Sequence, residues 1–269
     1  MAKAKKAARK AKKVAKRPRK TLAATARIKA AAKKSAARAA KGAPIRKSAA
    51  AKSAAKKKGA DKYVLHGFFG SLPSCKIGLM LSMCGVRWDY RHTDLPSGQQ
   101  RSPEFQGMNR FGQVPVLKHG DRTLCQSNTI LWYLAQQTGR FGGRSDDEKL
   151  RILEWLNWDL ADMAVGVGIS RFIARMAPNT GQEMRDFIRQ RGERALTTLD
   201  RHLGTSKFLV GSQPTIADVA IFPWVATAEE GGYNVANYPN VQAWAERMLT
   251  FPGVRHPYSL MPKEDRVAA

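Results

Sequence analysis

The chain has 269 residues, of which 47 are Lys or Arg and 21 are Asp or Glu, giving a formal net charge of +26 at pH 7. No apolar run approaches the ~18 residues that a bilayer-spanning helix needs, and no short apolar core of a secretory signal follows the basic start, so a soluble, cytoplasmic chain with no membrane partner is expected. Three cysteines, Cys75, Cys84 and Cys125, are an odd and sparse set, which argues against a disulfide framework and for a reducing compartment.

The charge is not spread evenly. Residues 1–60 hold 23 of the basic residues and no acidic one, leaving 24 basic against all 21 acidic residues in 61–269, a net of +3. The first 60 residues are nearly all Ala, Lys, Arg and Ser, interrupted by Pro18, Gly42, Pro44 and Gly59, and cannot bury a core. Their composition predicts a disordered polycationic tail that gains helix only when anions neutralise it. It resembles the lysine- and alanine-rich tails of linker-histone-like proteins. If about eight of its cations met phosphates, binding to nucleic acid would weaken with a log-log salt slope of roughly −7, without sequence specificity. A solubilising extension with no dedicated partner is the alternative.

Two further segments are expected, 61–140 and 145–260. Tyr63 to His66 reads as a short buried strand ended by Gly67. After the loop Phe68 to Pro73, the run from Cys75 to Cys84 has helical length, Ser74 is placed to cap it, and Gly85 stops it. Val86 to His92 is a second strand, and Gly98 to Arg110 a polar loop with one turn of helix near Pro103 to Gly107.

The stretch Phe111 to Val116, FGQVPV, then forms a corner. Pro115 stands at the start of a strand, where a ring without an N–H is tolerated only at a first or edge position. A cis Val114–Pro115 bond would explain it and turn the neighbouring backbone polar groups outward, toward an extended ligand. The strand Arg122 to Cys125 follows, and Gln126 and Ser127 open a helix from Asn128 to Thr138 closed by Gly139. Free N–H groups and the positive end of the dipole make that helix start a site for a carboxylate. A plain hairpin, with Gly120 and Asp121 in the turn and a capping serine, is the other reading. The order β, α, β, loop, β, β, α is the thioredoxin-like arrangement.

After Phe141 to Arg144 the chain turns all helical. Helices are expected over Asp146 to Met176, loosened by Gly166 and Gly168, over Gln182 to Leu203, over Ile216 to Ala228 with Pro223 inside, and over Val241 to Thr250. Thr215 and Asp218 form a capping box for the third of these. Phe68, Phe69, Trp158, Met163, Phe172 and Trp224 are candidates to line an apolar pocket, chiefly Phe68 and Phe69, the rest reading better as core. The five histidines show no metal-ligand spacing and no Gly-rich phosphate loop is present, so no metal is expected. The fold class is α+β, a thioredoxin-like segment followed by an all-helical one.

Three ordered strings, LHGFFGSLPSCKIGLML, SPEFQGMNRFGQVPVLKHGDRTLCQSNTILWYLAQ and FLVGSQPTIADVAIFPWV, resemble the soluble glutathione S-transferases of the bacterial serine type. The likeness spans about residues 62 to 255 and leaves the tail out. It implies glutathione as co-substrate with no other cofactor, a small hydrophobic electrophile, and a homodimer. It places Ser71 as donor to the glutathione sulfur, the backbone of Val114 beside Pro115 against the cysteinyl unit, Gln126 and Ser127 at the γ-glutamyl end, and Gln100 and Arg101 at the glycyl carboxylate. Arg110 stands where relatives commonly have proline. Where cysteine-type relatives carry the attacking and resolving thiols, this chain has Ser71 and Ser74, which disfavours dithiol exchange; Cys75, in the first helical turn, is the remaining candidate for a reactive thiol. The rival to an enzyme is a non-catalytic glutathione-transferase-like module tethered to nucleic acid by the tail, and a tethered enzyme that works near the nucleoid joins the two readings.

Overall fold

The structure, a computed structural model, describes residues 62–267. The expected tail and its nucleic-acid contacts lie outside the described residues.

Strand β1 (Tyr63–Gly67) alternates buried and half-buried residues, the period-2 signature of a strand with one face on a core. The chain crosses over through helix α1 (Leu72–Cys84) to β2 (Trp88–His92), which pairs parallel with β1. A short 3₁₀ turn (Gln99–Arg101) and helix α2 (Pro103–Met108) lead to the hairpin β3 (Val116–His119) and β4 (Arg122–Cys125). Strand β3 runs antiparallel to both β1 and β4, so the mixed sheet has the order β2-β1-β3-β4. Helix α3 (Ser127–Thr138) ends at Gly139 in the left-handed conformation, as α1 does at Gly85, both with the glycine that such a stop favours.

The expected strand from Val86 is shorter, starting at Trp88, and the expected long helix is three pieces. Helix α4 (Asp146–Trp158) runs into a ten-residue π-helical segment (Asp159–Gly168) and then helix α5 (Ile169–Met176). The loosening therefore starts at Asp159, well before the glycines that suggested it. Helix α6 (Gln182–Leu203) and the fully buried α7 (Ile216–Ala226) follow, and α8 (Pro239–Met248) begins two residues before its expected start, with proline in its first turn. The expected capping box forms: Thr215 and Asp218 bond each other's backbone. Asp218 does more than cap, since it also accepts from the Leu209 N–H and the Trp244 indole.

Helix α1 is buried on nearly every side because it lies between the sheet and the helical part, packing on α3 and α7. Past α8 the chain returns over the first segment: Arg266 exchanges two backbone hydrogen bonds with Tyr90, at 2.7 and 2.9 Å, and so covers the β2 edge.

The π segment crosses α6 at two glycines. A Cβ on Gly166 would lie 2.5 Å from the Gly192 backbone, and one on Gly192 would overlap the Tyr233 hydroxyl. Gly192→Ala is therefore expected to destabilise by about 1–3 kcal/mol through overpacking, against a helix-propensity gain of about 1 kcal/mol, read as a lower urea midpoint. A rise in the midpoint would mean that the crossing has room to spare.

Candidate active site

The sheet register brings the candidate residues together. Val116, first residue of β3, pairs with His66 near the end of β1 and with Cys125 at the end of β4. The loop Phe68 to Ser71, the Val114–Pro115 peptide and the start of α3 consequently meet at one end of the sheet.

Ser71, not Ser74, caps α1. Its Oγ accepts from the Ser74 N–H at 3.3 Å and its carbonyl accepts from the Cys75 N–H at 2.9 Å. The helix starts earlier than expected because Pro73 falls in its first turn, where a missing N–H costs nothing. Capping uses a lone pair of the hydroxyl and leaves its one proton free to donate.

The Val114–Pro115 bond is cis. The loop before it is held by buried Asn109, whose side chain donates to Gln113 O at 2.6 Å and accepts from the Phe111 N–H at 3.0 Å. Arg110 is exposed and lies over the Phe111 ring, 4.5 Å from its centroid. Gln126 sits at φ 69°, a conformation costly for a residue with a side chain. Its side chain does not cap α3, and Ser127 is buried in the first turn. Gln100 is half-buried with its Oε1 atom out of solvent and without a protein partner, and its carbonyl faces Gly112 in the loop before Pro115. Arg101 is exposed beside it.

Phe68 and Phe69 are half-buried, their centroids 4.7 Å apart, with His92 and the Lys263 ammonium against them. Among the other aromatic and methionine candidates, Met163 and Trp224 are core, Phe172 is exposed, and Trp158 packs on Trp155. Cys75 is fully buried between the Phe69 and Pro257 carbonyls, and burial pushes its thiol up to about 12; the helix-dipole argument for a reactive thiol fails on desolvation. Cys84 is half-buried and packs against the core, and Cys125 is half-buried. A cleft bounded by Met83, Arg140, Phe141, Thr215 and Phe251 sits at the other end of α1, about 18 Å away along the helix, and takes no part in this corner. Among the described residues no group of three or more His, Cys, Asp or Glu side chains is placed to hold a metal.

Two groups escaped the sequence reading. Lys76, one turn into α1, is fully buried and its Nζ lies 2.5 Å from Asp159 Oδ2. Asp159 also accepts from the Trp224 indole at 2.7 Å and from Asn128, the neighbour of Ser127, at 3.0 Å. Burial lowers the Lys76 pKa, opposed by the Asp159 carboxylate. The second is Arg171, whose guanidinium reaches the Gly70 carbonyl, Glu230 and the Tyr258 hydroxyl. A lone cation inside the apolar run of α1 was the only sequence sign of the first.

The model of the glutathione S-transferase N-terminal domain matches residues 62–136, and that of the C-terminal domain matches residues 159–247. The chain is 30% identical over 192 residues to human glutathione S-transferase theta-2B, covering 68% of this chain and 79% of that protein. The chain belongs to the glutathione S-transferase family. It is also 29% identical over 184 residues to the disulfide-bond oxidoreductase YfcG of Escherichia coli K12, covering 66% of this chain and 86% of that protein. A crystal structure of a glutathione S-transferase from Xanthobacter autotrophicus Py2 superposes with a TM-score of 0.68 at 30% identity, over 72% of this chain and 96% of that one. The thioredoxin-like and helical segments of this chain thus have the family's architecture.

Proposed function

We propose that this chain is a serine-type glutathione transferase. Ser71 donates its free proton to the glutathione sulfur, the Val114 backbone beside Pro115 pairs with the cysteinyl unit, Gln126 and the α3 start take the γ-glutamyl end, and Gln100 with Arg101 hold the glycyl carboxylate. The thiolate attacks a small hydrophobic electrophile held beside Phe68 and Phe69, and the leaving group departs with its electron pair. The rate gain comes from ionisation and positioning.

The observation that carries this reading is the convergence at one sheet end of a capping hydroxyl with a spare proton, an extended-ligand corner and a helix N-terminus not capped by the preceding Gln126 side chain. Its test is calorimetric titration of glutathione into the full chain, at raised salt so that the tail does not collect the anionic tripeptide, alongside conjugation of chloro-dinitrobenzene. Micromolar to millimolar binding with turnover is expected; no heat at several millimolar would sink the enzyme reading.

The oxidoreductase relative favours one second reading for the same site, in which the thiolate attacks a disulfide sulfur and one thiolate leaves. Ser71 serves both, whereas dithiol exchange through the protein does not fit the SLPS sequence. Disulfide reduction outpacing conjugation would select it.

Two companion proposals concern partners. Leu150, Leu153 and Leu160 are exposed along one side of α4 and the segment after it, and a second copy of the chain covers them in a homodimer. Residues 1–60 bind nucleic acid without sequence preference in a cytoplasmic, nucleoid-associated protein. Deleting them is expected to leave turnover intact and abolish retention on DNA, whereas a non-catalytic tethered module would lose its only activity.

A further inference from the structure

We propose that Arg171 is a positioning residue for Ser71, holding the Gly70–Ser71 peptide in place for thiolate stabilisation from the helical part of the chain. The proposal rests on the serine-transferase reading.

A peptide unit is planar, so its carbonyl and N–H move together. At Gly70–Ser71 both are engaged: the Ser71 N–H donates to Phe68 O at 2.9 Å, and the Gly70 carbonyl accepts from Arg171 Nη1 at 3.3 Å. On the other side of Ser71, its carbonyl and Oγ accept from the Cys75 and Ser74 N–H groups. Together these bonds set the peptide plane before the serine, its backbone turn into α1 and its side-chain rotamer. Arg171 supplies the only one of the four that comes from outside the loop and α1.

Arg171 is itself held in one geometry. Its side chain is 11% exposed, its Nε lies 2.9 Å from Glu230 Oε2 and its Nη2 2.6 Å from the Tyr258 hydroxyl. Tyr258 donates to the same Glu230 carboxylate at 2.6–2.7 Å, and Arg175 backs that carboxylate at 2.9 Å. The fork of Arg171 thus joins three segments, as the guanidinium plane allows and a lysine ammonium does not. The start of α5 is fixed as well, since Ser170 bonds the Tyr233 hydroxyl at 2.7 Å, and that hydroxyl reaches Gly166 O in the π segment at 3.2 Å. The bound charge also reaches α1: at Cys75 it opposes the desolvation that raises that thiol.

The experiment compares the full-length parent with Arg171→Met, Arg171→Lys and Tyr258→Phe by glutathione titration, by the pH profile of kcat/KM and by urea unfolding. In Arg171→Met the acid limb is expected to move up by about one pH unit, a roughly tenfold loss at pH values below the limb, with glutathione affinity changed by less than about threefold. Arg171→Lys keeps the charge without the fork and recovers only part of the loss. Tyr258→Phe, which removes one anchor and leaves no cavity, shifts the limb in the same direction by a smaller amount, about two- to threefold in rate. An unmoved limb in folded Arg171→Met, or in Tyr258→Phe should the former not fold, would overturn the positioning role and leave the transferase reading standing. A parent that binds no glutathione would overturn both.

Discussion

Lys76→Met is expected to destabilise the protein by about 3–5 kcal/mol, because it strands a carboxylate in the interior. Lys76 and Asp159 are each 0% exposed at the side chain, and their contact joins α1 to the helical part of the chain. Two neutral donors, Asn128 and Trp224, stay on Asp159 after the substitution, which places the loss nearer the lower figure. Asp159→Asn added to Lys76→Met removes the stranded charge and is expected to restore much of the stability, since replacing both members of a buried pair is often nearly neutral. The measurement is the urea midpoint of the two variants and the parent. A loss below about 1 kcal/mol in the single variant would mean that the remaining donors, Asn128 and Trp224, suffice to hold Asp159 in the interior and that no charge is stranded. Asn128 adjoins Ser127 at the start of α3, so the single variant should also weaken glutathione binding and the double variant recover it.

That pair also marks where sequence reasoning stopped. The capping box at Thr215 and Asp218, the glycine stops at Gly85 and Gly139, and the cis proline at the head of β3 are local signals. Each is decided by residues a few positions apart, and each was readable. The N-cap of α1 is local too: with Pro73 in the loop the cap falls at Ser74, and with Pro73 in the first turn, as the structure has it, the cap is Ser71. Lys76 to Asp159 spans 83 positions and Arg171 to Gly70 spans 101; neither spacing has a sequence period. A charged residue in an apolar run announces that it needs a partner and is silent about which. Cys75 shows the same limit from the other side: its place in a first helical turn suggested a lowered pKa, and burial, which depends on how Phe69 and Pro257 pack over it, reversed the sign.

Removing the Ser71 hydroxyl should act on rate far more than on binding. A thiol with a pKa of about 8.5 is only about 3% ionised at pH 7. A hydroxyl donating to the thiolate contributes about 1.5–3 kcal/mol, equivalent to about one to two pKa units. Ser71→Ala therefore lets the bound thiol drift back up, and turnover near pH 7 is expected to fall about 10- to 30-fold, the ratio of thiolate fractions, with little change in KM. The sign fixes the pH dependence. The loss is greatest below the bound thiol's parent pKa and shrinks as pH rises past the variant's higher one, where the sulfur ionises unaided. The same substitution removes the cap of α1 and costs about 0.5–2 kcal/mol, whereas Ser71→Gly costs only about a few tenths of a kcal/mol and Ser71→Thr keeps the hydroxyl. Equal rate losses in the Ala and Gly variants, with recovery in Thr, would tie the effect to the proton donor. A loss independent of pH that tracks urea stability would assign it to the helix start instead, and full turnover in the Ala variant would remove Ser71 from the chemistry.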